Sequence, residues 1–446
     1  MTHARPDNVS PSVRPPTAAL RPSRSPLAVV GTMVGGVGVA VGQAGDARII
    51  VSTDLTRSTL VVQRIDAEGL QGLAPDGTAH RVPRDQLLAI FSPRTLPAPV
   101  PTGSELLQPG ADDPSPEGLV TLVTRSAFNG RYAGASDQGQ ILLWESPLLG
   151  PLRLPLDALA SVALRHAGAE TSTTPAPARA SDRLTLVNGD VLDGFINAMS
   201  DPVVIEVGGK PRTVPLSRVR EASFANPATP WPRSCVWLDD GTILPFDAIE
   251  SDAGPRSTTM LVTRAEGSGP LPGFALKMPF AQIHAAAFDM GMLQTLASIA
   301  PARQAPSEGR GWAPPIELSA DPTTTPMGLA DITLPGPMTV EWVLPRRAAR
   351  FAAYAELPTT SRVWGDCVLV VELIEGGAAR VVTRQRLHEG SPGVEINTEI
   401  SVPRGGPEPR LRVTIDPGER GPIQDRVVLH TPLLLLSPAP PAAAPR

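Results

Sequence analysis

Asp182 to Phe224 reads DRLTLVNGDVLDGFINAMSDPVVIEVGGKPRTVPLSRVREASF, and the fold is decided in this stretch. Leu184 and Leu186 alternate with polar neighbours, the period of a strand with one buried face. Asn188-Gly189 is a strong hairpin signal, because a two-residue turn needs positive φ, and the strand pattern resumes at Leu192. Further on, Pro215 follows apolar Val214, and Val219, Ala222 and Phe224 come four, seven and nine residues later. Proline fixes φ and lacks an N–H, so it suits the exit from a strand into a tight turn. The stretch therefore reads as one small antiparallel unit that ends in a turn and a closing strand.

The same ending recurs. Pro279 follows Met278 and precedes Ile283, Ala286 and Phe288; Pro155 follows Leu154 and precedes Leu159, Val162 and Leu164. Pro83 precedes Leu87 and Ile90 at the same offsets, but Phe91 arrives one residue early. The spacing of roughly 60 to 70 residues marks an internal repeat of whole folding units. Residues 47–92, 118–165, 182–225 and 233–289 are the four units, with linkers at 93–117 and 166–181 and an insertion around Ser251 to Arg256. Five short strands, an Asn-Gly or Asp-Gly turn and a late one-turn helix resemble the Sm-like and SH3-like barrel family. That resemblance implies small closed five-stranded barrels, which remove exposed sheet edges. A duplicated β-meander is the plainer alternative.

Composition narrows the function class. A net charge of −5 over 446 residues, scarce Lys and dispersed Arg give no footprint for nucleic acid. The N-terminus has the order of a secretory leader, residues 1–44: Arg5, Arg14, Arg21 and Arg24, then an uncharged run from Leu27 to Val41, then small Gly42 and Ala44. The expected location is periplasmic or extracellular, with no membrane span once the leader is removed; retention of the leader as an anchor is the other reading. Cys235 and Cys367 fall in separate apolar strand patterns and read as buried free thiols.

A linker at 302–315 is expected to precede a final domain at 316–438, with a Pro/Ala-rich tail at 439–446. Strand signals run from Met338 to Leu344, Arg350 to Leu357, Cys367 to Ile374, Ala379 to Leu387, Val394 to Val402, Leu411 to Ile415 and Val427 to Leu436. Such a series fits a β-sandwich of jelly-roll type. The fold class is thus all-β: repeated Sm/SH3-like barrels followed by a jelly-roll sandwich. The segments Leu296–Pro301, Gly328-Leu329, Arg350–Tyr354, Gly365–Val368 and Asp416-x-Gly418-x-x-Gly421-x-x-x-Asp425, in that order, resemble the NPCBM-type carbohydrate-binding module found beside glycoside hydrolases. The family histidine position is Ile332 here, and its late Trp falls near Val428 or Leu429. The resemblance implies a sugar-binding edge with Trp364, Asp416 and Asp425 as its candidates; the same residues also read as turn-making acids and a packing Trp.

Other candidates reduce to structure. Trp144 in a strand reads as core, Asp239-Asp240-Gly241 as a hairpin turn, and His284 as an exposed side chain. The six histidines have no metal-ligand spacing, and no nucleophile elbow, phosphate loop or dinucleotide fingerprint is present. No catalytic residue, metal or cofactor is expected. The leading expectation is a noncatalytic exported protein that binds envelope or matrix polysaccharide. A scaffold for envelope proteins is the second reading, and a glycoside hydrolase with acids distant in sequence the third.

Overall fold

The computed structural model describes residues 47–93, 116–165, 180–251, 258–263, 271, 273–307, 311–401 and 406–438. The expected leader, the tail, most of the first two linkers and nearly all of the insertion lie outside the described residues. Among the described residues there is no α-helix, only strands and single 3-10 turns.

The hairpin in the deciding stretch forms as its chemistry requires. Gly189 has φ +88°, and the Leu186 N–H donates to Asp190 O at 2.8 Å. The strands of this third unit are Asp182–Leu186, Val191–Ala198, Val203–Val207, Lys210–Val214 and Val219–Ser223. Numbered along the chain these are β11 to β15. The first unit holds β1 to β5: Ala47–Ser52, Arg57–Asp66, Gly69–Leu73, Ala79–Pro83 and Leu87–Phe91. The second holds β6 to β10: Glu117–Leu122, Ala127–Ser136, Ile141–Ser146, Gly150–Pro155 and Leu159–Leu164. In the fourth, the second strand is broken in two, giving β16 to β21: Cys235–Leu238, Ile243–Pro245, Ala248–Ser251, Thr258–Thr263, Phe274–Pro279 and Ile283–Ala287.

Each unit has one strand order: closing strand, first, second, third, fourth, all antiparallel. The four prolines sit where the repeat placed them. Pro83, Pro155, Pro215 and Pro279, with φ of −58°, −61°, −55° and −60°, each precede a single 3-10 turn that leads into the closing strand.

A bulge explains why positions four and seven after the proline both face inward. Strand alternation alone would point them to opposite sides. In all four units the closing strand carries one extra residue against the first strand: Leu88, Ala160, Arg220 and His284. That residue shifts the parity. Leu87 and Ile90, Leu159 and Val162, Val219 and Ala222, and Ile283 and Ala286 are all buried in one apolar core shared by the four units. Trp144 lies in the same core.

The sheets are open, where closed barrels were expected. Among the described residues no pairing joins a fourth strand to the closing strand. The outer edge of the closing strand is satisfied instead by another unit. β5 pairs with β21 (Phe91 opposite Ala285), and β10 pairs with β15 (Ser161 opposite Ser223). Units one and four are therefore joined edge to edge, as are two and three, and all 21 strands share one hydrogen-bonded network. Edge pairing hides the same polar backbone groups that barrel closure would hide.

This pairing also buries His284, expected to be exposed. It lies on the strand that meets the first unit and is 7% exposed. Its Nδ1 is 3.5 Å from Asp239. Burial pushes its pKa below the ordinary 6.5 and outweighs the opposing pull of Asp239.

Residues 302–315 are not simply a linker. Leu293–Thr295, Arg303–Pro306, Glu317–Leu318 and Ile332–Pro335 are β22 to β25. Met338–Val343, Ala348–Glu356, Cys367–Glu375 and Ala378–Leu387 are β26 to β29. Gly393–Glu399, Arg410–Pro417 and Arg426–Leu436 are β30 to β32. They form a β-sandwich. One sheet runs β24-β25-β32-β27-β30 with β22 added on β32; the other runs β23-β26-β31-β28-β29. β22 and β23 are too short for alternation to reveal among their Pro-rich neighbours, yet both supply sheet edges. Trp342, Phe351, Leu369 and Leu429 fill the space between the sheets.

A third apolar cluster joins repeats to sandwich. Val51, Leu88, Ala89, Phe91, Cys235, Trp237, Ala285 and Ala287 pack with Leu293, Met327, Ala352 and Leu433. The early placement of Phe91 has its reason here: the odd offset turns it away from the repeat core and into this seam.

Candidate functional site

The outer face of the five-stranded sheet is built by alternation. In Leu411-Arg412-Val413-Thr414-Ile415-Asp416 the aliphatics point into the sandwich, and Arg412, Thr414 and Asp416 point out. Register then sets side chains from four strands in rows. Arg303, Glu341, Arg412 and Glu372 stand across β23, β26, β31 and β28 with alternating charge. The next row holds Ala305, Thr339 and Thr414. Asp416 closes the face, opposite Val368. All of these but Glu341 and Val368 line, together with Pro306 and Ser307, an open groove of about 490 Å³.

The inner charges are engaged with one another. Glu341, 4% exposed, accepts from Arg410 Nη1 at 2.7 Å and from Arg412 Nε and Nη2 at 3.1 Å. Burial pushes its carboxyl up, but the two guanidinium groups outweigh burial and hold it below the ordinary value. Arg412 Nη1 also lies 3.5 Å from Glu372. The Thr339 and Thr414 hydroxyls share a hydrogen bond of 3.1 Å. Among the described residues, the side chains of Arg303 and Asp416 meet no hydrogen-bond or ion-pair partner. The groove thus presents a free cation at one end, a free carboxylate at the other and hydroxyls between.

Two loops meet beyond the Asp416 end. One precedes β28 and carries Val363 and Trp364, each 59% exposed; the other follows β31 and carries exposed Ile423. Asp366, 1% exposed, fastens them. Its carboxylate accepts from Arg386 at 2.7 and 2.8 Å and from the Arg420 N–H at 3.2 Å, and its own carbonyl accepts from Gly418 N–H at 2.7 Å. The Arg386 hydrogen bonds hold the Asp366 carboxyl below its ordinary range. Arg420 Nη1 reaches back to Val363 O at 2.8 Å.

Of the three residues singled out from sequence, Trp364 and Asp416 thus lie at the surface on one end of the sheet. Asp425 does not: it is 2% exposed and accepts from the Asp366 N–H at 3.4 Å, a turn acid beneath the loops. Sequence reasoning missed Arg303, Thr339, Thr414 and Glu372. The polar alternation of Arg412, Thr414 and Asp416 was visible, but their neighbours come from strands far away in the chain.

A second polar cluster lies on the other sheet. His430 Nδ1 meets Asp331 at 2.8 Å and Nε2 meets Glu356 at 3.2 Å, with the ring stacked on Tyr354. Both ring nitrogens are thus engaged by carboxylates from two other parts of the sandwich. The hydrogen bond to Asp331 raises its pKa above the ordinary 6.5, against the effect of burial.

No protein-family model matches the chain, and no curated protein matches it. Among solved structures it is similar to the CBM51 from Clostridium perfringens GH95, solved with methyl-galactose: 9% identity over 32% of this chain and 99% of that one, TM-score 0.25. It is similar to the tandem CBM51 modules of Sp3GH98, a family 98 glycoside hydrolase from Streptococcus pneumoniae, at 9% identity, 87% and 88% coverage and TM-score 0.25. The C-terminal family 22 carbohydrate-binding module of Clostridium thermocellum Xyn10B gives 11% identity, 31% and 96% coverage and TM-score 0.20. At these TM-scores the likeness does not itself establish a common fold or a shared ligand.

Proposed function

We propose that the chain is an exported, noncatalytic protein that binds polysaccharide of the envelope or matrix through its sandwich. The observation that carries this is the groove in which Arg303 and Asp416, unpaired among the described residues, flank the hydroxyls of Thr339 and Thr414, with exposed Trp364 beyond one end. Sugar recognition uses such parts: planar charged groups for paired hydroxyls, and an aromatic plate for a ring face. The segment order shared with the NPCBM-type module supports the same reading.

Glu341 and Glu372 are both held by the Arg412 guanidinium, at 3.1 and 3.5 Å, and so are engaged as ion-pair partners. Asp416 stands four residues further along the strand from Arg412, ~13 Å at the backbone. The four repeats are read as Sm/SH3-like units whose strand order and late 3-10 turn are kept while closure is replaced by edge pairing.

The test is retention of the full chain on insoluble polysaccharides together with a glycan array. Retention is expected, and Asp416→Ala and Trp364→Ala should each weaken it with no change in unfolding midpoint. A folded chain that binds no glycan sinks the proposal. A second reading, an envelope interaction scaffold, is favoured by exposed Val187, Val191 and Phe195 on the third unit; defined protein partners in proximity labelling would favour it.

A further inference from the structure

We infer that the groove takes an internal stretch of an extended glycan chain, several sugar units long, and not a single sugar at a chain end. The inference rests on the reading of this face as a glycan site and adds which part of a glycan it holds.

The two groove side chains free to bind are far apart. Arg303 belongs to the row of Glu341, Arg412 and Glu372, on the edge strand. Asp416 lies four residues beyond Arg412 on β31, two strands inward from β23. Rise and strand spacing put the offset at ~13 Å along the strands and ~10 Å across them. At the backbone the two positions are thus ~16 Å apart. A pocket for a single sugar brings its donors and acceptors to one point; here they stand on separate strands, four residues out of row.

The floor between them suits a chain lying flat. Ala305, Thr339 and Thr414 are small, so nothing walls off one ring from the next. Glu372 and Arg412 are held by each other at 3.5 Å. Arg410 and Arg412 are held by Glu341 and Glu372, and Arg386 of β29 by Asp366 and Glu419, so among the described residues Arg303, Arg384 and Asp416 are the charges of this face left to meet the hydroxyls of a chain. Beyond Asp416 the exposed Trp364 extends the track by one more stacking surface.

Each end then contributes its own share of binding, and affinity must rise with chain length until both ends are occupied. The test is calorimetric titration of the full chain with cello-, xylo-, manno- and N-acetylated chito-oligosaccharides of one to six units. In at least one series, Kd should fall about tenfold or more between the single sugar and the hexamer, which corresponds to ~1.4 kcal/mol. Arg303→Ala and Asp416→Ala should each remove that gain and leave the unfolding midpoint in place. A single sugar that binds as tightly as its hexamer overturns the inference and leaves the proposed function standing. Failure of every series to bind overturns it as well, and polysaccharide retention then judges the proposed function on its own.

Discussion

Arg57 Nη2 donates to the carbonyl oxygen of Thr431 at 2.5 Å, across the seam between the first repeat and the sandwich. The same guanidinium reaches His430 O at 3.3 Å and Ala352 O at 3.4 Å. These carbonyls sit where the β27–β32 register shifts between Ala352 and Tyr354, and Thr431 has φ +45°, a backbone state that a β-branched residue seldom takes. The bulge turns carbonyls out of the ladder, and Arg57 receives them. A buried carbonyl left without a donor costs ~1–3 kcal/mol. Arg57→Ala should therefore lower stability by about 2–4 kcal/mol in urea unfolding. Arg57→Lys should restore only part, because an ammonium cannot fork across three acceptors. An Arg57→Ala chain with an unchanged midpoint would remove the guanidinium from any role in the seam.

Two histidines should give opposite pH signatures. His430 is raised by its hydrogen bond to Asp331. Its contribution is complete below the unfolded value near 6.5 and fades as pH climbs through the higher folded value. His284 is lowered by burial. Its contribution is complete above about 6.5 and is lost as pH falls towards the lower folded value. His430→Gln should then cost more stability near pH ~5.5 than near pH ~8.5. His284→Gln should flatten the loss of stability on acidification. Denaturant midpoints across that range check both, and parallel curves for wild type and variants would contradict the assignments.

The cysteines should be silent in the folded chain. Cys235 and Cys367 are free and buried, and burial pushes both thiols up to about 12. A thiol-specific chromogenic reagent should find no reactive group in native protein and both thiols after unfolding. A fast native reaction at Cys235 would mean that the repeat–sandwich seam opens readily.

Much of this fold was legible because its signals are local. The prolines announced four 3-10 turns, Asn188-Gly189 announced a hairpin, and alternation in Val368–Leu373 and Leu411–Ile415 announced central strands. Pairing partners were not legible. Nothing near Phe91 says that its strand meets Ala285, and nothing near Pro306 says that it opposes Met338. The groove suffered for the same reason, since its floor is assembled from strands as far apart in the chain as Arg303–Pro306 and Arg410–Pro417. One clue was within reach: Leu88-Ala89-Ile90-Phe91 and Ala285-Ala286-Ala287 are apolar on both faces, unlike the closing strands of units two and three. A strand without a polar face has a second surface to cover.

That difference supports a prediction on equivalent positions. Six and eight residues after the proline, the closing strands of units one and four carry Ala89 and Phe91, and Ala285 and Ala287, which pack against the sandwich. Units two and three carry Ser161 and Ala163, and Glu221 and Ser223 at the same places. The two junctions share one pairing geometry, so side-chain chemistry, together with the short connection from Ala287 to Leu293, places the sandwich on the one–four junction. Ala285→Leu adds volume to a seam with no room and should cost ~1–3 kcal/mol. Glu221→Leu, its structural equivalent on the junction that does not meet the sandwich, should stay within ~0.5 kcal/mol. Both are read from unfolding midpoints of the full chain. Equal costs at the two sites would mean that the outer face of the two–three junction is covered as well, and that the asymmetry argued from these four strands is wrong.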